Sequence, residues 1–481
     1  MATVSPSRYV PFGFARTHQV LVVGASSDAI EVWIGDSTPP AALAELSRTL
    51  SLRLVTVRKP DSELSGAISR AYSAQEGAAT AAAVADEVAS DLDLSRLMQD
   101  IPKIEDLLEA EDDAPIIRMI NALLTQASRD GASDIHIEPF EGYSLVRFRV
   151  DGTLRDVVRP RREIHAALVS RIKIMAALDI AEKRLPQDGR ITLRIGGKPV
   201  DVRVSTLPTG HGERAVLRLL DKEAGRLNLT SLGMAPQAQK AFERLVRQPH
   251  GIVLVTGPTG SGKTTTLYAA LTQIDANMTN ILTVEDPIEY DLDGVGQTQV
   301  NPRIDMTFAK ALRSILRQDP DVIMIGEIRD LETAQIAVQS SLTGHLVLAT
   351  LHTNDSASAV TRLIDMGIEP FLLSSSLLGV LAQRLVRKLC TQCRESDPVT
   401  GAWRAVGCLA CNKTGFQGRT GVHELLQVDD DIRALIHKGA PEAEIRESAL
   451  RSSMVSMRDD GERWVKAGIT SPDEVIRVTR D

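Results

Sequence analysis

"GIVLVTGPTGSGKTTTLYAALTQI", residues 251–274, decides the fold. A short apolar strand, "IVLVT", runs into a glycine-rich loop, and a helical pattern, "TTTLYAALTQI", follows at once. The loop satisfies G-x-x-x-x-G-K-[ST] with Gly257, Gly262, Lys263 and Thr264, and Gly260 adds a third glycine. Glycines let the backbone curl until several N–H groups aim at one phosphate group, and the helix start behind them favours anions. Lys263 supplies a point charge, and the Thr264 hydroxyl stands where a nucleotide's Mg²⁺ needs an oxygen. Residues Gly257, Pro258, Thr259, Gly260, Ser261, Gly262, Lys263, Thr264 and Thr265 are therefore the expected cradle for a nucleoside triphosphate, ATP, with Thr264 on the magnesium.

Downstream, "NILTV", "DVIMIG" and "HLVLAT" alternate with helical segments, the signature of a buried, mostly parallel sheet in an α/β domain. Ligands of such sheets collect at the carboxyl ends of the strands. Two strand ends offer a carboxylate for the attacking water: Glu285, followed by Asp286, in "ILTVEDPIEY", and Glu327 in "DVIMIGEIRD". One is expected to orient the water and the other to serve the metal shell. Gly326 stands where many such enzymes carry a magnesium-binding aspartate, so the residues alone leave that assignment open. His345 and His352 flank a further strand, a spacing that suits γ-phosphate sensing better than metal binding.

At 481 residues the chain has material for about three domains. Hydrophobic residues at 43% and charged residues at 25% describe a globular protein. The start shows no signal sequence, and no segment has the roughly 18–20 apolar residues of a membrane span, so a cytoplasmic protein is expected. Residues 1–75 read as a small mixed domain and 76–113 as an acidic flexible linker with twelve acidic residues against two basic ones. Residues 114–230 form a second domain with hairpins turning at Asp151-Gly152 and Gly196-Gly197. Residues 231–387 hold the nucleotide core, and residues 426–481 look helical. Within the second domain, Arg159 to Arg218 carries a net +7 in a chain of −8. A solvated basic face and arginines that meet phosphates are the two readings of that stretch. Aromatics at 3% give little to stack on bases, so no nucleic-acid partner is expected.

The four cysteines form C-x₂-C-x₁₄-C-x₂-C: Cys390, Cys393, Cys408 and Cys411. Two CxxC knuckles can place four thiolates around one Zn²⁺ and leave no open position, which makes residues 388–425 a structural zinc module. Free thiols or a redox pair are the alternative.

Together, "GASDIHIEP", the phosphate loop, "TVEDPIEY", "IGEIRDLETAQIA", "TGHLVLATLHTN" and "SSSLLGVLAQRLVRKLC" resemble the secretion ATPases of the type II/type IV pilus superfamily, most closely the type II secretion ATPases. The resemblance covers residues 114–425, and in that family Gly326 is the normal residue. It implies a RecA-like P-loop core, a PAS-like α+β second domain, a homo-hexameric ring and ATP hydrolysis that drives pseudopilus assembly at the inner membrane. It also implies that Arg203 and Arg218 of the second domain, with Arg313 and Arg317 of the core, approach nucleotide at domain or subunit boundaries. The N-terminal domain would dock on the cytoplasmic part of a bitopic inner-membrane platform protein, the chain's one link to the membrane. Alternatives are a pilus-extension ATPase, a non-hydrolysing nucleotide-gated regulator and, opposed by the acidic total, a nucleic-acid translocase.

Overall fold

A computed structural model of the chain describes residues 114–195, 198–221, 228–398 and 401–479, together with parts of residues 2–67. The expected linker, 76–113, and the turn at 196–197 lie outside the described residues. Two compact units divide the chain, residues 1–103 and 104–481.

The first unit carries a four-stranded sheet in sequence order, β1 (Ala2–Thr3), β2 (Val20–Ala25), β3 (Ala29–Ile34) and β4 (Arg53–Arg58). β3 and β4 are parallel, so a crossover must join them, and helix α1 (Pro40–Leu50) is that crossover. Val20, Val22, Ile30, Val32 and Leu46 share its buried core.

The second unit opens with helix α2 (Ala114–Arg129) and an antiparallel sheet of order β7-β6-β5-β10-β9-β8. Its strands are β5 (Ala132–Pro139), β6 (Ser144–Val150), β7 (Thr153–Val158), β8 (Gln187–Ile195), β9 (Lys198–Thr209) and β10 (Gly212–Asp221). The β6–β7 hairpin turns at Asp151-Gly152, both at positive φ as a tight hairpin requires. β8 and β9 pair down to Ile195↔Lys198, the last register before the undescribed turn. Helices α2 and α3 (Arg162–Met175) pack on this sheet.

The nucleotide core follows helix α4 (Pro236–Leu245) as a seven-stranded sheet of order β13-β12-β14-β15-β11-β16-β19. Its strands are β11 (Gly251–Thr256), β12 (Ile281–Glu285), β13 (Val295–Gln299), β14 (Val322–Ile325), β15 (Leu346–Leu351), β16 (Leu377–Leu389) and β19 (Phe416–Gln427). All pairs are parallel except β16–β19, which is antiparallel. β11 is buried along its whole length, and alternate residues feed different cores. Ile252 and Leu254 join one cluster, and Val253 and Val255 another. That burial on both faces explains why the strand reads as continuous apolar sequence rather than alternation.

The strands β16 and β19 are long, and the four cysteines sit between them with a short hairpin, β17 (Glu395–Ser396) and β18 (Trp403–Arg404). Four short helices between Asp430 and Thr479 close the chain. Among the described residues no helix is long and apolar enough to cross a membrane.

Candidate active site

The phosphate loop, 257–262, joins the carboxyl end of β11 to helix α5 (Lys263–Leu271). Gly257 has φ 145°, and a Cβ there would lie 2.4 Å from the backbone oxygen of Gln383. Only glycine permits that approach. Gln383, buried on β16, in turn fixes the loop. Its amide donates to the Ser261 oxygen at 2.6 Å and accepts from the Thr266 hydroxyl at 2.7 Å. The Ser261 hydroxyl, also buried, has no partner within the chain.

Lys263 folds back over the loop and donates to the oxygens of Gly257 at 2.8 Å and Pro258 at 3.2 Å. Burial pulls its ammonium down to about 8, against the opposing charge of Glu327. Its Nζ lies 3.4 Å from His352 Nδ1, and the other ring nitrogen of His352 lies 3.4 Å from Glu327 Oε2. Glu327, immediately beyond Gly326 at the end of β14, is also paired with Arg329 and keeps 14% of its side chain exposed. Lys263, His352 and Glu327 thus converge on one open mouth beside the loop. Thr353 ties this histidine segment to the loop strand, its hydroxyl 2.7 Å from that of Thr256. Thr264 is half-buried in the first turn of α5.

Glu285 is built differently. It is buried, and it accepts from Tyr268, from Thr283 at 2.6 Å and from Gln297 at 3.0 Å. Burial and the Glu285 carboxylate push the Tyr268 phenol far above its ordinary value, which keeps it a donor. A carboxylate with three fixed donors is poorly placed to release one for a water, whereas Glu327 faces the open loop.

The structure separates the two histidines. His345 precedes β15 at the end of the sheet opposite the loop, and its Nδ1 contacts the Ser340 oxygen at 2.9 Å. The strand between them, Leu346–Leu351, sends only His352 to the phosphate site. Arg313 pairs with Glu332, and Arg317 donates to the Arg313 oxygen at 2.7 Å; both are exposed on helix α6 (Phe308–Ile315) or its end. They are not gathered at this chain's loop. Arg203 and Arg218 line a cavity of about 390 Å³ whose opposite wall is Pro287, Ile288 and Gln299, the segment that leaves Glu285. Gln383 and Arg329 were not singled out by sequence reasoning. The available signal for Gln383 was one amide within the otherwise apolar run "LLGVLAQRLV".

The four cysteine sulfurs gather at the tip of the β16–β19 pair, all within 4.8 Å of one another. Three Sγ–Sγ separations are 3.9, 3.7 and 3.8 Å. A tetrahedral ion with Zn–S of ~2.3 Å demands sulfurs ~3.8 Å apart. The amides of Gly407, Cys408 and Gly415 point at cysteine sulfurs at 3.1–3.3 Å, an arrangement suited to thiolates. The residues fit a structural metal.

The Type II/IV secretion system protein family matches residues 109–477, and the family of the GSPII protein E N-terminal domain matches residues 9–72. Type II secretion system protein HxcR of Pseudomonas aeruginosa is 64% identical over 98% of this chain and 99% of its own length. Type II secretion system ATPase E of Vibrio cholerae is 55% identical over 98% of this chain and 97% of its own. Among solved structures, the Legionella pneumophila ATPase DotB matches the fold with a TM-score of 0.59 at 22% identity, over 80% of this chain and 99% of its own. The pilus retraction motor PilT, solved with bound ADP, gives 0.52 at 27% identity, over 75% of this chain and 97% of its own.

Proposed function

Since the chain belongs to the Type II/IV secretion system protein family, and within it to the type II secretion ATPases, we propose how its residues divide the work of hydrolysis. It is an ATP-hydrolysing motor of a type II secretion system. The observation that carries the assignment is the convergence of Lys263, His352 and Glu327 on the mouth of the loop.

The loop amides and Lys263 hold the β- and γ-phosphates, and Thr264 supplies a hydroxyl to Mg²⁺. Magnesium neutralises developing charge on the phosphate oxygens. Glu327 orients the attacking water and accepts its proton, and His352 stands between Glu327 and Lys263 as the γ-phosphate contact. The water oxygen bonds to the γ-phosphorus as the bridging P–O bond breaks, and that electron pair leaves on ADP. Glu285 holds the strand end beside this site through Tyr268, Thr283 and Gln297 rather than meeting the water. His345, at the far end of β15, has a structural place.

Arg203 and Arg218 complete the site from the second domain, and Arg313 and Arg317, exposed on α6, serve a neighbouring chain in a hexameric ring. Cys390, Cys393, Cys408 and Cys411 hold one Zn²⁺, which closes the tip of the β16–β19 pair and takes no part in hydrolysis. The N-terminal domain docks on the cytoplasmic part of a bitopic inner-membrane platform protein, and the motor drives pseudopilus assembly there. High identity over the whole length to type II secretion proteins supports secretion over pilus extension.

Arg203→Ala and Arg218→Ala test the division of labour. Each binds ATP like the parent and hydrolyses it more slowly, by a factor within the roughly 10³–10⁵ that such an arginine contributes. Full turnover in both variants removes the second domain from the chemistry.

A further inference from the structure

Three arginines stand side by side across the second-domain sheet. Arg190 on β8 is in register with Arg203 on β9, and Arg203 is in register with Arg218 on β10. Directly opposed residues of antiparallel strands project from the same face, so the three guanidinium groups form one row. All three line the cavity against Pro287, Ile288 and Gln299. Like charges placed directly opposite one another destabilise a sheet. Here the repulsion is only partly relieved. Arg190 is paired with Asp201 and Arg218 with Asp134 at 2.9 Å, while Arg203, in the middle, has no carboxylate within ion-pair distance among the described residues. One further carboxylate, Asp188, reaches the cavity wall from the next row, beside Ser205 and Val216. Across the cavity, Arg203 and Arg218 act on Glu289, whose burial pushes its carboxyl up.

We propose that Arg190 is the third arm of the phosphate clamp, acting with Arg203 and Arg218 on the terminal phosphate of ATP. The inference rests on the hydrolytic reading above. Its physical basis is that a row of three cations with an unpaired centre is an anion site waiting for a highly charged group, and a triphosphate is the anion the neighbouring loop holds. The Arg190–Asp201 pair orients this arm: Asp201 is 2% exposed and accepts from Thr192 at 2.7 Å as well, so the carboxylate is a fixed anchor. The Arg190 guanidinium stays more than half exposed and keeps donors for a ligand.

The test uses the full-length chain and Mg·ATP, with affinities for ATP and ADP measured beside turnover. Arg190→Ala lowers kcat and weakens ATP relative to ADP, each on the order of tenfold. Arg190→Lys recovers part of both, because charge returns without the two-pronged geometry. Arg194→Ala, on the same strand and face but outside the cavity, leaves both unchanged, so a general loss of positive charge is not the cause. If Arg190 served only to neutralise buried Asp201, Asp201→Asn in the Arg190→Ala chain would restore turnover and the ATP preference, and that result overturns the proposal. An unaltered ATP-to-ADP affinity ratio in Arg190→Ala also overturns it. The ratio decides even in a preparation without turnover, so failure of the hydrolytic reading is seen separately, in the parent chain.

Discussion

Gln383 and Ser261 meet in a buried hydrogen bond, amide to backbone oxygen, of 2.6 Å. The bond joins the strand that leads to the cysteine cluster to the loop that holds phosphates. Because Gln383 also accepts from Thr266, its loss strands two loop partners at once. An unsatisfied buried partner costs about 1–3 kcal/mol. Gln383→Leu is therefore expected to lower the melting temperature by several degrees and to weaken ATP binding on the order of tenfold, with the loop no longer held open. Melting curves with and without ATP check it; unchanged affinity would mean that the loop keeps its shape unaided.

The lysine of the loop gives a pH signature. In the nucleotide-free chain burial lowers Lys263 to about 8, and phosphates beside it favour the charged form and raise it again. Below that value the lysine already carries its proton and binding takes up none. Above it, binding must protonate the lysine, so affinity for ATP falls as pH rises, by at most about tenfold per unit. Calorimetry at pH about 9, in buffers of different ionisation enthalpy, should show proton uptake approaching one per chain. For protein stability the sign is opposite. A lysine depressed in the folded chain penalises folding while it is charged, so its cost fades as pH rises past about 8. Absence of proton uptake would place another cation at the phosphates.

Metal removal should act on structure before chemistry. Purified chain is expected to hold about one zinc, lost on chelation or in Cys408→Ser. Removing a structural zinc forfeits a binding free energy of about 10 kcal/mol or more. The tip between β16 and β19 should then become sensitive to protease, with Cys390–Cys411 cut first. A metal-free chain with an intact tip would refute the site.

The phosphate loop and the strands around it were legible because local chemistry dictates them. A buried parallel strand is continuously apolar, and a loop that curls around phosphate needs its glycines. The tetracysteine cluster was legible for the same reason, since four ligands in two short knuckles carry their geometry in the spacing. What the sequence hid was long-range. Gln383 lies 122 residues from Ser261, and its contact exists only because β16 pairs with β11. The two histidines looked equivalent in sequence, yet a strand of six residues separates them to opposite ends of the sheet. Glu285 and Glu327 also looked alike. Their difference lies in Tyr268 and Gln297, which reach the first and not the second. The arginine row is likewise a matter of register, which pairs Arg190, Arg203 and Arg218 from separate strands.

The most direct measurement is the specific ATPase activity of the purified chain against its own concentration, with Glu327→Gln alongside. Activity per chain should rise with concentration as neighbouring chains bring Arg313 and Arg317, and Glu327→Gln should bind ATP yet show no turnover at any concentration. Undiminished hydrolysis by Glu327→Gln would contradict the assignment of the water-orienting carboxylate. Activity per chain independent of concentration, though lost in Glu327→Gln, would put the whole site within one chain and contradict its completion between subunits.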